Sequence, residues 1–527
     1  MKQKARIMGR NIAYLILGAF ASVLPACGGG GVTVANGTAI VDIVFTFDKP
    51  YACGQFANGD WWVSPNSPGG SVHVVSITPD GIAGKHGVEI NPSSTTEQAF
   101  DNAAEVPYNG SLLATFPRDV RGGSSIVKAV SILPNPKSRP TLQFAAVLTV
   151  LDTPLANSAQ YFRPPYVGAT KILFPVSAIN LSALPRLAAS AVTAFDKPDI
   201  LPTSDVEAIP NVQSTCSTVT YKAPSSNGTD LLDRYTGVRL DHIGTWEGRD
   251  IHPKETMPTY GAQIATDNAV YLMRMAIDDF DPASNYQHKR ALVNYLQTAI
   301  DLQAEALNGT KWNAAGGHSI GRKLPLAFAE MIFTTPSIKA AFSDAISTGS
   351  FDEDNLLSRS TINNKVLYGR PGSDFQYWQA TLTGNGPLDI RDPYGMIDGG
   401  GDQVGSGHGY QYCCTSMPWK YTALAIYVLN LQSEFNSPNL LEYAERWVNW
   451  GSITIADTCA PYSTSANYGI TFGPDSSNPG QCIAGAGRWT SRDGVGKNDG
   501  GYKSIYGDNL WVWYKAQPSA TSVPYSH

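Results

Sequence analysis

Three short stretches of the chain concentrate side chains able to move protons or hold anions. The first, Gly316-Gly317-His318-Ser319-Ile320-Gly321-Arg322-Lys323, sets an imidazole and two cations in a glycine-rich turn before the apolar run Leu324-Pro325-Leu326. Glycines let a backbone approach a ligand closely, and His, Arg and Lys together concentrate positive charge and N–H donors. A solvated helix start with incidental charges is the plainer alternative. The second stretch runs from Asp392-Pro393-Tyr394 through Asp398-Gly399-Gly400 to Gly407-His408-Gly409-Tyr410-Gln411-Tyr412-Cys413-Cys414. It spaces tyrosines and a histidine between glycines, as either a reactive loop or a disulfide-pinned turn with tyrosines packed beneath it. The third, Trp246-Glu247-Gly248-Arg249-Asp250-Ile251-His252-Pro253-Lys254-Glu255, continuing to Thr259-Tyr260-Gly261, is dense in polar groups before a helix start. It suits hydroxyl-rich ligands or a salt-bridged loop. Asn268, about two turns into that helix, faces a cavity or serves as an interior polar spacer. A further turn, Asp499-Gly500-Gly501-Tyr502-Lys503-Ser504, feeds the aromatic run Asn509 to Tyr514, as a cleft rim or an aromatic plug.

These stretches need scaffolding, and the chain of 527 residues is long enough for two or three domains. Charged residues are only 16% while Gly numbers 50 and Pro 35, a loop-rich composition that suits an extracellular protein. The net charge of −6 supplies no basic field for nucleic acid, so a polyanionic ligand needs a local basic site. Lys2, Lys4, Arg6 and Arg10 precede a short apolar core, Ile12 to Val23, and then Leu24-Pro25-Ala26-Cys27 and four glycines. The apolar run is too short to span a bilayer and reads as an export signal. The small residue before Cys27 resembles a bacterial lipobox, despite the unusual Pro25, and implies lipidation of Cys27 and a membrane anchor; ordinary signal cleavage is the alternative.

Six further cysteines (Cys53, Cys216, Cys413, Cys414, Cys459 and Cys482) fit disulfides in an oxidising compartment, with Cys459–Cys482 the favoured pair. No Cys/His spacing of zinc type occurs. The acids Asp392, Asp398 and Asp402 leave a structural Ca²⁺ site open, although their spacing matches no calcium-loop pattern; no catalytic metal or cofactor is expected.

Residues 36–200 read as β-rich, with strands expected at Ala39 to Phe47, Val72 to Ile77, Ser125 to Ile132 and Leu142 to Leu151. From about 228 the apolar spacing turns helical. Ile264, Ala265, Leu272 and Met275 share one face, as do Leu292, Tyr295, Leu296, Ala299 and Leu307. Further helices are expected at about 322–333, 419–433 and 440–450, and Ala423 to Leu431 is apolar nearly all round, hence buried. The expectation is a multidomain α+β protein. A signal and tether occupy 1–35, a β-sandwich 36–200, and an incomplete (α/α) toroid of helical hairpins 201–527. Long glycine-rich loops at 368–418 and 458–505 would carry function.

The motifs above, with Gly54-Gln55-Phe56-Ala57-Asn58-Gly59-Asp60-Trp61-Trp62-Val63, His86-Gly87-Val88-Glu89-Ile90-Asn91-Pro92 and Phe162-Arg163-Pro164-Pro165-Tyr166, resemble exported bacterial polysaccharide lyases. The broader resemblance is to α/α-toroid lyases acting on alginate, glucuronan or related uronates, and spans most of residues 40–515. It implies β-elimination: loss of the proton at C5 of a uronate and expulsion of the 4-linked oxygen. The adjacent carboxylate must be neutralised for that proton to leave. His318 with Arg322 or Lys323 are the expected neutralisers, assisted by Asn268 or Gln263. A tyrosine serves as base or acid; free tyrosine ionises near 10, and a nearby cation lowers that. Tyr410 is the first choice, with Tyr412, Tyr377 and Tyr394 as alternatives. Related lyases carry an arginine several residues before the tyrosine, a spacing that Arg370 and Tyr377 meet and Tyr410 does not. Glu255, Tyr260 and His408 join the expected substrate-binding set.

Two other readings compete. A toroid glycoside hydrolase would use facing carboxylates, for which Glu247, Glu255 and Asp398 are available. A non-catalytic surface glycan-binding lipoprotein would use Trp61 and Trp62 as stacking platforms, unless these are core.

Overall fold

The computed structural model describes residues 41–134, 139–187, 208–211, 213–224, 231–313, 316–359, 366–368, 414–450 and 502–517. The first long strand, β1 (Ile43–Gln55), begins with Ile43, Phe45 and Phe47 buried and their neighbours less so, the period of two expected of a sheet with one covered face. It continues well past the expected end at Phe47, because its second half is claimed by partners of its own. Seven more strands join it: β2 (Trp61–Ser64), β3 (Ser71–Thr78), β4 (Val88–Ile90), β5 (Arg118–Arg121), β6 (Ser124–Ser131), β7 (Leu142–Val150) and β8 (Ser214–Tyr221). Their order is β4-β6-β7-β2-β1-β3-β5, with β8 also pairing with β1. Only the β2–β7 pair within this sheet is parallel.

The sheet curls around Ile43, Phe45, Val72, Val74, Ile126, Leu148 and Val219. The opposite face of β6 and β7 is covered as well. Val127, Ala129, Ala145 and Val147 pack against Tyr166, Val238, Leu240, Ile243 and Ile251. Burial on both faces explains why every residue of β6 is inaccessible rather than every second one. It also lays residues 238–251 on the sheet. Trp62 is fully buried in a small neighbouring cluster with Phe56, so it is core. Cys53 and Cys216 form a disulfide that stitches β8 to β1 across 163 residues of sequence. Cys414 is disulfide-bonded too, while Cys27, Cys413, Cys459 and Cys482 lie outside the described residues.

Beyond the sheet the chain is helical: α1 (Gly261–Met275), α2 (Tyr286–Leu307), α3 (Lys323–Ile332), α4 (Pro336–Thr348), α5 (Ser416–Leu429), α6 (Pro438–Trp450) and α7 (Ile505–Lys515). Short strands β9 (Leu357–Arg359) and β10 (Val366–Tyr368) pair with each other. The Asn285 side chain caps α2 by accepting from the amides of Gln287 and His288, and Pro336 opens α4. The expected apolar faces are buried except at Leu307, which is 50% exposed where α2 runs out beyond its packing partners. Every residue of α5 is buried, as its all-round apolar pattern implies. Its one lysine, Lys420, is neutralised by Asp508 of α7 at 2.9 Å, and its carbonyl accepts from Trp511 at 2.7 Å. The molecule is thus a mixed α/β structure, a curled sheet joined to several helices. Among the described residues no helix is long and apolar enough to cross a membrane.

Candidate active site

The third and first sequence stretches meet. Residues 246–251 form a 3-10 turn anchored on the sheet by Ile243 and Ile251. The amides of Lys254 and Glu255 donate to the carbonyls of Leu142 and Gln143, both at 3.0 Å. Tyr260 is the N-cap of α1. The Gly316–His318 turn presses directly on this helix start. A Cβ at Gly261 would lie 2.1 Å from the His318 carbonyl oxygen, and one at Gly317 would lie 2.8 Å from the Tyr260 hydroxyl oxygen. These two positions need glycine because one loop of the protein presses on the other, whereas the sequence pattern suggests glycines that admit a ligand.

The contact brings the Tyr260 and His318 rings edge to face, with centroids 4.8 Å apart and planes at 81°. Nη1 of Arg249 stands 3.3 Å from Nδ1 of His318, and the Trp246 ring lies 6.3 Å from the imidazole. Tyr502 packs on the far side of Tyr260 at 5.2 Å. Trp246 is 41% exposed and carries the Arg139 guanidinium over its ring at 4.5 Å. Arg139 is ion-paired with Glu105 and Asp250. Burial, reinforced by the charges of Arg139 and Arg322, pushes the His318 imidazole down to about 4, so it is neutral near pH 7. An arginine N–H facing Nδ1 makes that nitrogen the acceptor and leaves the proton on Nε2. Burial pushes the Asp250 carboxyl up to about 6, against the opposing effect of Arg139.

Arg322 faces inward. It is 2% exposed and bonds both oxygens of Asp241, through Nε at 2.7 Å and Nη2 at 3.1 Å. Its Nη1 donates to the carbonyls of His318 at 3.2 Å and Ile320 at 2.8 Å. Four hydrogen bonds commit the guanidinium inside the protein, away from the place expected of a carboxylate neutraliser. Lys323 is likewise buried against Asp354, at 2.6 Å. Asn268 accepts from the Tyr235 hydroxyl at 2.8 Å and donates to the Gly321 carbonyl at 2.7 Å. It therefore holds the first stretch from beneath, as an interior polar residue. Glu255 is 5% exposed, and burial pushes its carboxyl up. Of the expected site residues, His318 and Tyr260 come together in the described structure. Tyr410, Tyr412, Tyr377, Tyr394, His408, Arg370, Asp398 and Cys27 lie outside the described residues.

Three participants escaped the residue-by-residue reading. Trp246 and Arg249 stood inside a recognised stretch without individual roles. Arg139 carried no local signal, since it arrives from the connection between β6 and β7.

A second charged region lies behind the site. Arg163 bridges Asp60, at 2.6 Å, and Asp301 of α2, at 2.5 Å, while the Tyr166 hydroxyl donates to Glu305 at 2.7 Å. Nδ1 of His242 is 3.0 Å from the same hydroxyl, and burial pushes its imidazole down to about 4. Asp241, Arg322, Asn268 and Glu305 line a small cavity together with the apolar Met257, Ile264 and Leu302. Among the described residues no group of three or more His, Cys, Asp or Glu side chains is arranged to hold a metal ion. Comparison with protein-family models, with curated proteins and with solved structures finds no match for this chain.

Proposed function

We propose that the chain is a polysaccharide lyase that cleaves a uronic-acid-containing polysaccharide by β-elimination at the Trp246, Arg249, Tyr260 and His318 cluster. The observation that carries the reading is a neutral, half-buried imidazole held between a tyrosine ring and a guanidinium, beside an exposed tryptophan. An indole face suits the apolar face of a sugar ring, and Arg249 supplies the positive charge that a uronate carboxylate requires. The Nε2–H of His318 adds a donor to the same carboxylate. Electron density moving toward that group as C5 loses its proton then develops in the field of Arg249 and Arg139. Tyr260 takes the C5 proton as a phenolate, the C5–H pair becomes the C4–C5 double bond, and the C4–O bond breaks. The departing oxygen takes back a proton from the phenol.

In this reading the described sheet and helices belong to a β-sandwich followed by an (α/α) toroid, and the chain works exported and lipid-anchored through Cys27. The supports are the resemblance set out above and the cationic, short apolar N-terminus. Tyr260 replaces Tyr410 as the first choice for the catalytic tyrosine because it stands in ring contact with His318.

The test is incubation of the purified chain with alginate, glucuronan and a glycosaminoglycan, following ultraviolet absorbance of the 4,5-unsaturated product and release of reducing ends together. A rise in both is expected for one class. Reducing ends without absorbance would replace the lyase with a hydrolase, and binding without either would leave a glycan-binding protein.

A further inference from the structure

Behind the two reacting rings sits one carboxylate that touches the supports of both. Asp241 is 3% exposed. Toward His318, it holds Arg322 bidentately, and Arg322 grips the His318 carbonyl at 3.2 Å and the Ile320 carbonyl at 2.8 Å. Toward Tyr260, its Oδ1 is 3.1 Å from Nε2 of His252, whose Nδ1 is 3.1 Å from the carbonyl of Pro258, two residues before Tyr260. His252 is 2% exposed and the Arg322 residue equally so. Both arms are short and built on buried side chains, Arg322 held by four hydrogen bonds and His252 by contacts at both ring nitrogens. They end on backbone, so they set where the two loops lie without reaching the ligand.

We infer that Asp241 is a positioning residue that fixes the spacing of the Tyr260 and His318 rings through these two arms. The inference rests on the lyase reading for its catalytic consequence, though not for the coupling itself. Orientation of paired catalytic groups is worth large factors in rate, and displacement of about an ångström is enough to lose much of it. Of the groups that contact the sugar ring and its carboxylate, Trp246 and Arg249 are held by neither arm, and only the added donor, His318, is. Loss of an arm therefore lowers kcat and leaves KM nearly unchanged.

The arms are cut separately, because Asp241→Asn leaves Arg322 buried without its carboxylate charge and risks unfolding. His252→Gln loosens the Pro258 arm. Arg322→Lys keeps the charge beside Asp241 and loses the forked donation to the 318 and 320 carbonyls. Each variant is measured by amide hydrogen exchange over 258–264, 316–321 and, as a control, β6, and by kcat and KM on the substrate found above. The expected result is faster exchange over 258–264 in His252→Gln and over 316–321 in Arg322→Lys, with β6 unchanged. At least a tenfold fall in kcat is expected with KM within about twofold. Unchanged exchange in the two loops overturns the coupling. Faster exchange with unchanged kcat, or an effect on KM alone, overturns the positioning role. If no substrate yields an unsaturated product, the lyase reading falls, and the exchange data still decide whether the arms hold the loops.

Discussion

Two regions of this molecule are built from the same side chains and treat them in opposite ways. Behind the sheet, Arg163 and Arg322 are held by Asp60, Asp301 and Asp241, each cation almost wholly out of water. Across His318 from Arg322, Arg249 meets an imidazole nitrogen, and Trp246 beside it is open to solvent. A buried cation needs its counter-charge and is silent once it has one. One that faces aromatic rings and a neutral imidazole keeps its field for whatever approaches. Residue type therefore distinguishes neither region; the identity of the neighbour and access to water do.

The contrast can be broken at several points, beginning with the largest expected effect. Arg163→Gln leaves Asp60 and Asp301 buried without their cation, and about 3–5 kcal/mol of stability should be lost, read as a lower denaturant midpoint. An unchanged midpoint would mean the seam is not holding the sheet to α2. Replacing both Cys53 and Cys216 by serine releases the β1–β8 stitch. Its removal should cost about 2–4 kcal/mol, visible as a lower melting temperature. Gly261→Ala acts on the Tyr260–His318 contact instead. Its methyl group meets the His318 carbonyl, so turnover should fall about tenfold, as expected when reacting groups are displaced by about an ångström, in a protein that still folds. Wild-type turnover in this variant would show that the two loops can separate without consequence.

The smallest effect is a shift in pH. Protonation of His318 would set an N–H against Arg249, so the acid limb of kcat/KM that His318 contributes should lie near its folded value of about 4, below the limb set by ionisation of the tyrosine base. Burial is the main cause of the depression and Arg139 the next. Arg139→Gln removes a positive charge that disfavours the imidazolium, and so moves the acid limb upward, part of the way toward the ordinary histidine value near 6.5. A limb that stays in place or moves down would remove His318 from the titration. The same sign governs stability at His242. Its folded value, also about 4, lies below the unfolded one, so the unfolded chain binds the extra proton and stability declines as pH falls from about 6.5 to 4.

Much of the scaffold could be read in advance because it follows a period. The strands at 71–78, 124–131 and 142–150 and the helices at 261–275, 323–332 and 416–429 lie where alternation or helical spacing put them. The strand Ser214–Tyr221 was missed because it carries mostly exposed polar residues and depends on β1 and a disulfide for its place. The helix Pro336–Thr348 was missed because only Ile338, Phe342 and Ala345 are buried along it, a faint stripe. At the site, the glycine-rich context of His318 was informative, since Gly317 and Gly261 are where the two loops touch. The role of Arg322 was not legible, because Asp241, which claims it, lies 81 residues away in sequence. Arg139 was hidden for the same reason. Ion pairs across such separations leave no periodic trace.

The central claim, that the half-buried Trp246–His318 cluster does chemistry while the fully buried one holds the fold, is tested most directly by treating one arginine from each alike. Elimination rate and melting temperature are measured together for Arg249→Gln and Arg163→Gln. The account expects Arg249→Gln to lose at least a hundredfold in rate, the scale of losing a preorganised charge partner, with its melting temperature nearly unchanged. Arg163→Gln should melt well below the parent, yet retain most of its rate at temperatures where it is folded. Full elimination activity in Arg249→Gln, or a parent-like melting temperature in Arg163→Gln, would contradict it.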